Sequence, residues 1–271
     1  MEQFYVSFAS GSTGNCGLLV LGGTRLLIDL GISVRRLSAE LARLGVTIDE
    51  LDAVLLTHEH TDHIKGLATL LKRHDLPLYT TIGTAQVLLE KHPQARDHLR
   101  PFYSGATFLV GGVQVTAFGT PHDAADSTGF RFETEGLCFG YATDLGFVPN
   151  SVRQALLGCD VVVLESNHDP DLLRTGPYPY ALQQRVAGPR GHLSNADCAR
   201  LAVELVQSGT RCLILAHLSD KNNTPAYARL ETEAALRAAG LTCALFVAPK
   251  DAMDEPILLS GEEACTCCPS A

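Results

Sequence analysis

Thr57-His58-Glu59-His60-Thr61-Asp62-His63 follows directly on the apolar run Ala53 to Leu56, and the fold turns on how this stretch is read. Three imidazoles and two carboxylates fall between positions 58 and 63, and His and Asp are ordinary ligands of zinc-type or manganese-type divalent ions. Side chains alternate along a strand, so a buried strand over Ala53 to Leu56 sends His58 and His60 to one side. A turn at Thr61 then aims Asp62 and His63 at a neighbouring spot, and one run can serve two adjacent metals. Alternation turns Glu59 away, towards a hydrogen bond behind the ligands. The competing reading is a histidine-rich surface loop, but such loops seldom follow a buried strand with this spacing.

Outward from the motif, 271 residues are enough for one large α/β domain or two small ones. Residues 1–260 are expected to form a single domain, since no stretch is rich enough in Pro, Gly and Ser to act as a linker. A hydrophobic fraction of 46% and a net charge of −9 describe a globular protein with no apolar run long enough to span a bilayer. Met1-Glu2-Gln3-Phe4 lacks the basic and apolar segments of a signal peptide, so the expected location is cytoplasmic. Of the nine cysteines, Cys16, Cys138, Cys159, Cys198, Cys212 and Cys243 lie singly in apolar segments and read as free buried thiols. Cys265, Cys267 and Cys268 belong to a Cys-rich tail, 261–271, that is expected to be disordered. The acidic balance counts against tight non-specific binding to DNA, because a polyanion would have to be held by metals and local residues.

Phe4 to Phe8, Gly17 to Leu21 and Thr24 to Asp29 read as strands, the first two joined by Ser10-Gly11-Ser12-Thr13-Gly14-Asn15. That joint is either a phosphate-cradling loop, with Ser12 and Asn15 as substrate contacts, or an ordinary hairpin connection. Ser33 to Leu44 has helical spacing with Gly45 as its C-cap. A helix from Ile64 to about Asp75 and another from Thr84 to Lys91 follow, and His74, His92 and His98 are expected to face solvent. Thr107 to Val110 pairs with Val113 to Phe118, and Phe130 to Phe132 with Leu137 to Phe139. Strands at Val161 to Leu164, Cys212 to Leu215 and Cys243 to Val247 then alternate with helices from Asn195 to Val206 and Pro225 to Ala239. Between them, Gly176 to Arg185 holds two prolines, two tyrosines and an arginine, which suit either a packed lid or a strand of nucleic acid stacked on tyrosine, with Arg185 on phosphate. His168, in a polar loop after a strand, could contact substrate or bond within its loop.

The run His58 to His63 resembles the HxHxDH signature of the metallo-β-lactamase fold superfamily. That resemblance implies an α/β (α+β) chain folded as a four-layer αββα sandwich. Four more donors follow strand ends: His122, Asp144, His192 and His217. Carried over residue by residue, the resemblance implies two divalent metal ions, zinc or manganese. One would be held by His58, His60 and His122, the other by Asp62, His63 and His217, with Asp144 bridging. The opening loop, Glu165-Ser166-Asn167-His168-Asp169 and Gly191-His192-Leu193-Ser194-Asn195 together resemble the YycJ (WalJ) branch, which implies 5′-to-3′ exonucleolytic cleavage of DNA. The Gly-His element is also similar to one in tRNA-processing phosphodiesterases of the superfamily, implying that His192 protonates the leaving oxygen.

Two close divalent ions can polarise a phosphoryl oxygen, lower the pKa of a bridging water and stabilise the charge that develops, and a phosphodiester uses all three effects. Asp62 is placed both to ligate and to orient the attacking hydroxide. A thioesterase or lactamase acting on small acyl substrates, or a non-catalytic metal-binding regulatory protein, are the rival readings.

Overall fold

The computed structural model describes residues 2–253 and 255–260; the Cys-rich tail, 261–271, lies outside the described residues. Phe4–Ala9 (β1), Cys16–Leu21 (β2) and Thr24–Ile28 (β3) form an antiparallel meander. After helix α1 (Val34–Arg43), Ala53–Leu55 (β4) joins β3 in parallel. The motif then folds into two short helices, α2 (Thr61–Ile64) and α3 (Leu67–Leu70), before β5 (Leu78–Thr81), α4 (Ile82–Lys91) and β6 (Leu99–Phe102).

A second sheet begins with β7 (Thr107–Val110), β8 (Val113–Gly119), β9 (Thr128–Thr134) and β10 (Leu137–Ala142), all antiparallel. Helix α5 (Asn150–Leu156) leads to β11 (Val161–Glu165), α6 (Pro170–Thr175), α7 (Tyr180–Val186) and α8 (Asn195–Gln207). The chain continues through β12 (Cys212–Ala216), α9 (Pro225–Ala238) and β13 (Ala244–Val247), with β11, β12 and β13 parallel. Finally β14 (Ile257–Leu258) returns to the first sheet beside β1.

Alternation along these strands makes four layers. Leu19, Leu26 and Ile28 of the first sheet meet Phe130, Phe139 and Ile214 of the second in a shared core. The opposite face of the first sheet, through Leu18 and Leu27, packs on Leu37 and Leu41 of α1 and Leu88 of α4. The outer face of the second sheet, through Val162 and Leu213, packs on Val152, Leu201 and Leu236 of α5, α8 and α9. Strands covered on both faces read as continuous apolar runs, as β2, β10, β11 and β12 do.

Several elements differ from the sequence expectation. The helix from Ile64 to Asp75 is divided, because Gly66 is pressed against the Leu30–Ile32 turn, where its N–H donates to the Leu30 carbonyl at 2.9 Å. The Gly176 to Arg185 segment holds most of α7, with Pro179 at its N-cap; a proline there does not interrupt a helix. His74 and His98 do not stand free in solvent, since His74 Nδ1 lies 2.7 Å from Asp49 and His98 Nδ1 lies 3.2 Å from the Leu76 carbonyl. Helices α5 and α6 and strands β6 and β14 were not expected.

Among the described residues, the non-glycine residues with positive φ are Asp29 (59°), Asp144 (59°) and His217 (57°). Each lies within two residues of the carboxyl end of a strand, β3, β10 or β12. Left-handed backbone is tolerated by Asp and His better than by most side chains, yet it still costs energy, and such residues gather at functional sites.

The turn after β3 is equally confined. A Cβ on Gly31 would run into the Asp62 carbonyl and the Asn15 amide. Gly31→Ala should therefore push the motif away from β3 and destabilise the protein by about 1–3 kcal/mol, the usual range for overpacking. Thermal denaturation against the wild type measures this, and an unchanged midpoint would show that the turn can yield.

Candidate metal centre

The end of β4 delivers Thr57, whose N–H donates to Asp29 Oδ1 at 2.8 Å and locks the motif to the end of β3. From there His60 reaches the cleft while His58 is fully buried, and the first turn of α2 presents Asp62 and His63. Donor atoms of His58, His60 and His122 lie within 4.8 Å of one another, and so do those of Asp62, His63 and His217. Asp144 stands between the two groups: Oδ2 is 3.5 Å from His63 Nε2, and Oδ1 is 3.6 Å from His122 Nε2. All seven residues named by the resemblance thus converge.

The rings are held from behind. His63 Nδ1–H donates to Asp29 Oδ2 at 2.8 Å, His122 Nδ1–H to the Gly191 carbonyl at 3.1 Å and His217 Nδ1–H to Glu165 Oε1 at 2.8 Å. His58 Nδ1 is 3.0 Å from the Thr57 hydroxyl. These partners fix the tautomer with Nε2 facing inward, as carbonyl and carboxylate partners of metal-binding histidines do. On the inner side, His58 Nε2, His217 Nε2 and Asp144 Oδ2 are buried without a hydrogen-bond partner. Buried polar atoms are nearly always satisfied, so three such atoms converging from three strand ends fit divalent cations.

Charge points the same way. Burial disfavours ionisation of Asp144, but His217, His63, His58 and His122 outweigh it and hold the carboxyl well below its usual range. Burial likewise opposes protonation of His63, yet Asp29 and Asp144 push it up to about 10. His58, buried and close to His63, is held well below the ordinary imidazole value. The site therefore draws positive charge at the His63 position, and a metal ion can take the place of the proton.

Asp144, Glu165, His192 and His217 form a further cluster with metal-like spacing. Hydrogen bonds already account for it. Glu165 Oε1 accepts from Nδ1–H of both His192 and His217 at 2.8 Å, and Oε2 accepts from the Leu145 and Leu193 amides at 2.6 and 3.2 Å. Burial works against the Glu165 carboxylate, and His192 and His217 nonetheless bring it down to about 2. His192, with its side chain 23% exposed, lines the cleft.

That cleft is an open cavity of about 350 Å³ above the donors, with Ser12 and Arg185 on its walls. Asn15 and His168 were also candidate substrate contacts, and neither lines this cleft. Asn15 is 2% exposed and acts as a strut, its Nδ2 donating to the Gly11 carbonyl at 3.1 Å and lying 3.0 Å from His63 Nε2. His168 lines a different cavity, behind α7. Glu59 turns away as expected, accepting from the Ala125 N–H at 2.8 Å. Sequence reasoning missed Asp29 and Glu165, both at strand ends. It also missed Asp123, which lines the cleft and is bound by Arg185 Nη2 at 2.6 Å. For Asp29 and Glu165 the available signal was an acidic residue at the end of an apolar strand.

Residues 24–218 match the family described as the Beta-lactamase superfamily domain. The chain is 33% identical to "Exodeoxyribonuclease YycJ" of Bacillus anthracis over 89% of its length and 91% of that protein. It is 34% identical to "Exodeoxyribonuclease WalJ" of Streptococcus pneumoniae over 81% of its length and 82% of that protein. Among solved structures, the metallo-β-lactamase fold protein YhfI of Bacillus subtilis aligns with a TM-score of 0.70 at 20% identity, over 93% of this chain and 98% of that one.

Asp29→Asn keeps a residue that accepts left-handed backbone but removes the charge behind His63. Loss of such a partner typically weakens metal binding about 10–100-fold. Chelator competition should show this weakening; unchanged metal affinity would remove Asp29 from the support of His63.

Proposed function

Because the chain belongs to the metallo-β-lactamase superfamily, in the part of it that holds YycJ and WalJ, we propose that it is a metal-dependent phosphodiesterase that degrades DNA from the 5′ end. Its likeness over most of its length to a protein named exodeoxyribonuclease carries the reading. In this proposal residues 1–260 form one hydrolase domain, working in the cytoplasm with zinc or manganese. Among the described residues no helix is long and apolar enough to cross a membrane.

His58, His60 and His122 would hold one ion and Asp62, His63 and His217 the other, with Asp144 shared. The ions supply Lewis acidity and neutralise charge on the phosphoryl group. The protein does the rest. Asp62, its carboxyl held low against burial by His217 and His63, accepts a hydrogen bond from the attacking water and orients it. Glu165 takes the Nδ1–H of His192, leaving Nε2 to carry the proton for the departing oxygen. Arg185 and Ser12, on the cleft walls, contact the phosphodiester backbone.

The test of the activity uses metal-loaded protein and end-labelled single-stranded and double-stranded DNA, beside a chromogenic lactam and a thioester. Nucleotides should be released from the 5′ end, and faster from 5′-phosphorylated than from 5′-hydroxyl DNA if the Ser10 to Asn15 loop cradles phosphate. Turnover of the lactam or thioester with intact DNA would favour the acyl hydrolase instead.

Positioned proton transfer is worth about a hundredfold to ten-thousandfold in rate. His192→Ala should keep both metals and lose activity on DNA by that order, and the loss should shrink on a p-nitrophenyl phosphodiester, whose leaving group departs without a proton. An equal loss on both substrates would argue against the acid role, and a lost metal equivalent would make His192 a ligand.

A further inference from the structure

Helix α7 separates two cavities. Leu182 and Arg185 line the metal cleft on one side, whereas Tyr180 and Gln184 line a second cavity of about 330 Å³ on the other, closed by Leu173 of α6 and floored by His168. We propose that this second cavity is a nucleobase subsite, which takes one unpaired base of the same DNA strand whose backbone lies in the metal cleft. The proposal rests on the DNA-degrading reading and adds a place where the strand is gripped through a base.

The chemistry of the walls selects a neutral planar ring. Arg174 of the lining pairs with Asp171 at 3.1 Å within α6, and the other lining side chains carry no fixed charge. Leu173, Pro170 and Ala187 supply apolar surface for a ring face. Tyr180 is left 74% exposed at the mouth, an apolar ring held in water, and aromatic side chains of this kind stack on bases without regard to sequence.

His168 gives the cavity a built polar floor. It is 3% exposed, and its Nδ1 has no hydrogen-bond partner. Burial pushes its pKa down to about 4, so the ring is neutral and offers one donor and one acceptor, as the edge of a base does. The backbone couples the two cavities. His168 pairs by an isolated parallel bridge with Ser194, two residues beyond His192. A helix with its side chains is about 10–12 Å across. At the ~3.4 Å per nucleotide of a stacked strand, the base so held lies within about three nucleotides of the scissile phosphate.

The test is a set of 5′-phosphorylated single-stranded oligonucleotides, each with one abasic residue, stepped inward from the cleaved end. For the wild-type holoenzyme KM should rise roughly tenfold at one position within about three nucleotides of that end. In Tyr180→Ala, and in His168→Gln if it folds, intact and abasic substrates should become equal at that position. A KM that depends on no position, or the same rise in Tyr180→Ala, overturns the subsite. If the wild type leaves DNA intact, the DNA reading fails by itself, and NMR titration of the metal-loaded protein with deoxyadenosine decides the cavity. Shifts that saturate in the wild type and weaken in Tyr180→Ala would support it, and no binding by the wild type would overturn it.

Discussion

The structure is arranged around the carboxylate of Asp144. It is buried, one of its oxygens has no hydrogen-bond partner, and imidazoles of His63, His122, His192 and His217 lie 3.5–3.6 Å from it. A buried charge is tolerable only when paired, so the surrounding rings must be fixed in place. Asp29, Glu165 and the Gly191 carbonyl do this by anchoring Nδ1 of His63, of His217 and of His122, respectively. Each of these anchors stands on a different part of the chain. The two sheets must therefore be packed together before the charge at their common edge can be supported.

The same demand explains the strained backbone. Asp29, Asp144 and His217 all adopt positive φ near 60° directly beyond strands, where the chain must leave the sheet and swing a side chain back across its end. A two-sheet core of Leu, Ile and Phe is rigid enough to hold three such residues. Under the proposed function, the net charge of −9 is compatible with a polyanionic substrate, because carboxylates and imidazoles gathered in one small cleft would hold the cations that attract it.

How much could be read from sequence follows from how local each signal is. The metal motif, the strand runs and the long helices depend on neighbours a few positions apart, and the αββα architecture agrees with the layers observed. The seven donors also meet as the resemblance implied. Asp29 and Glu165 were invisible because their partners lie 34 and 52 residues away, and a lone acid after a strand looks like a turn residue. Asn15 and His168 lie in polar stretches whose sequence left their roles open, and tertiary packing buries both. Prolines at positions 177 and 179 hid α7, although the second of them caps it.

The donors are spread along the chain from position 58 to position 217, so during synthesis they leave the ribosome in a fixed order. The His58 to His63 run emerges early, with four of the seven groups, while the His217 end of β12 emerges only after most of the second sheet. A nascent chain thus carries an open, incomplete set of nitrogen and oxygen donors for much of its synthesis. Affinity at such a set follows the general ranking of transition metals, not the finished geometry. Until β12 has joined the second sheet, His217 cannot meet the other donors.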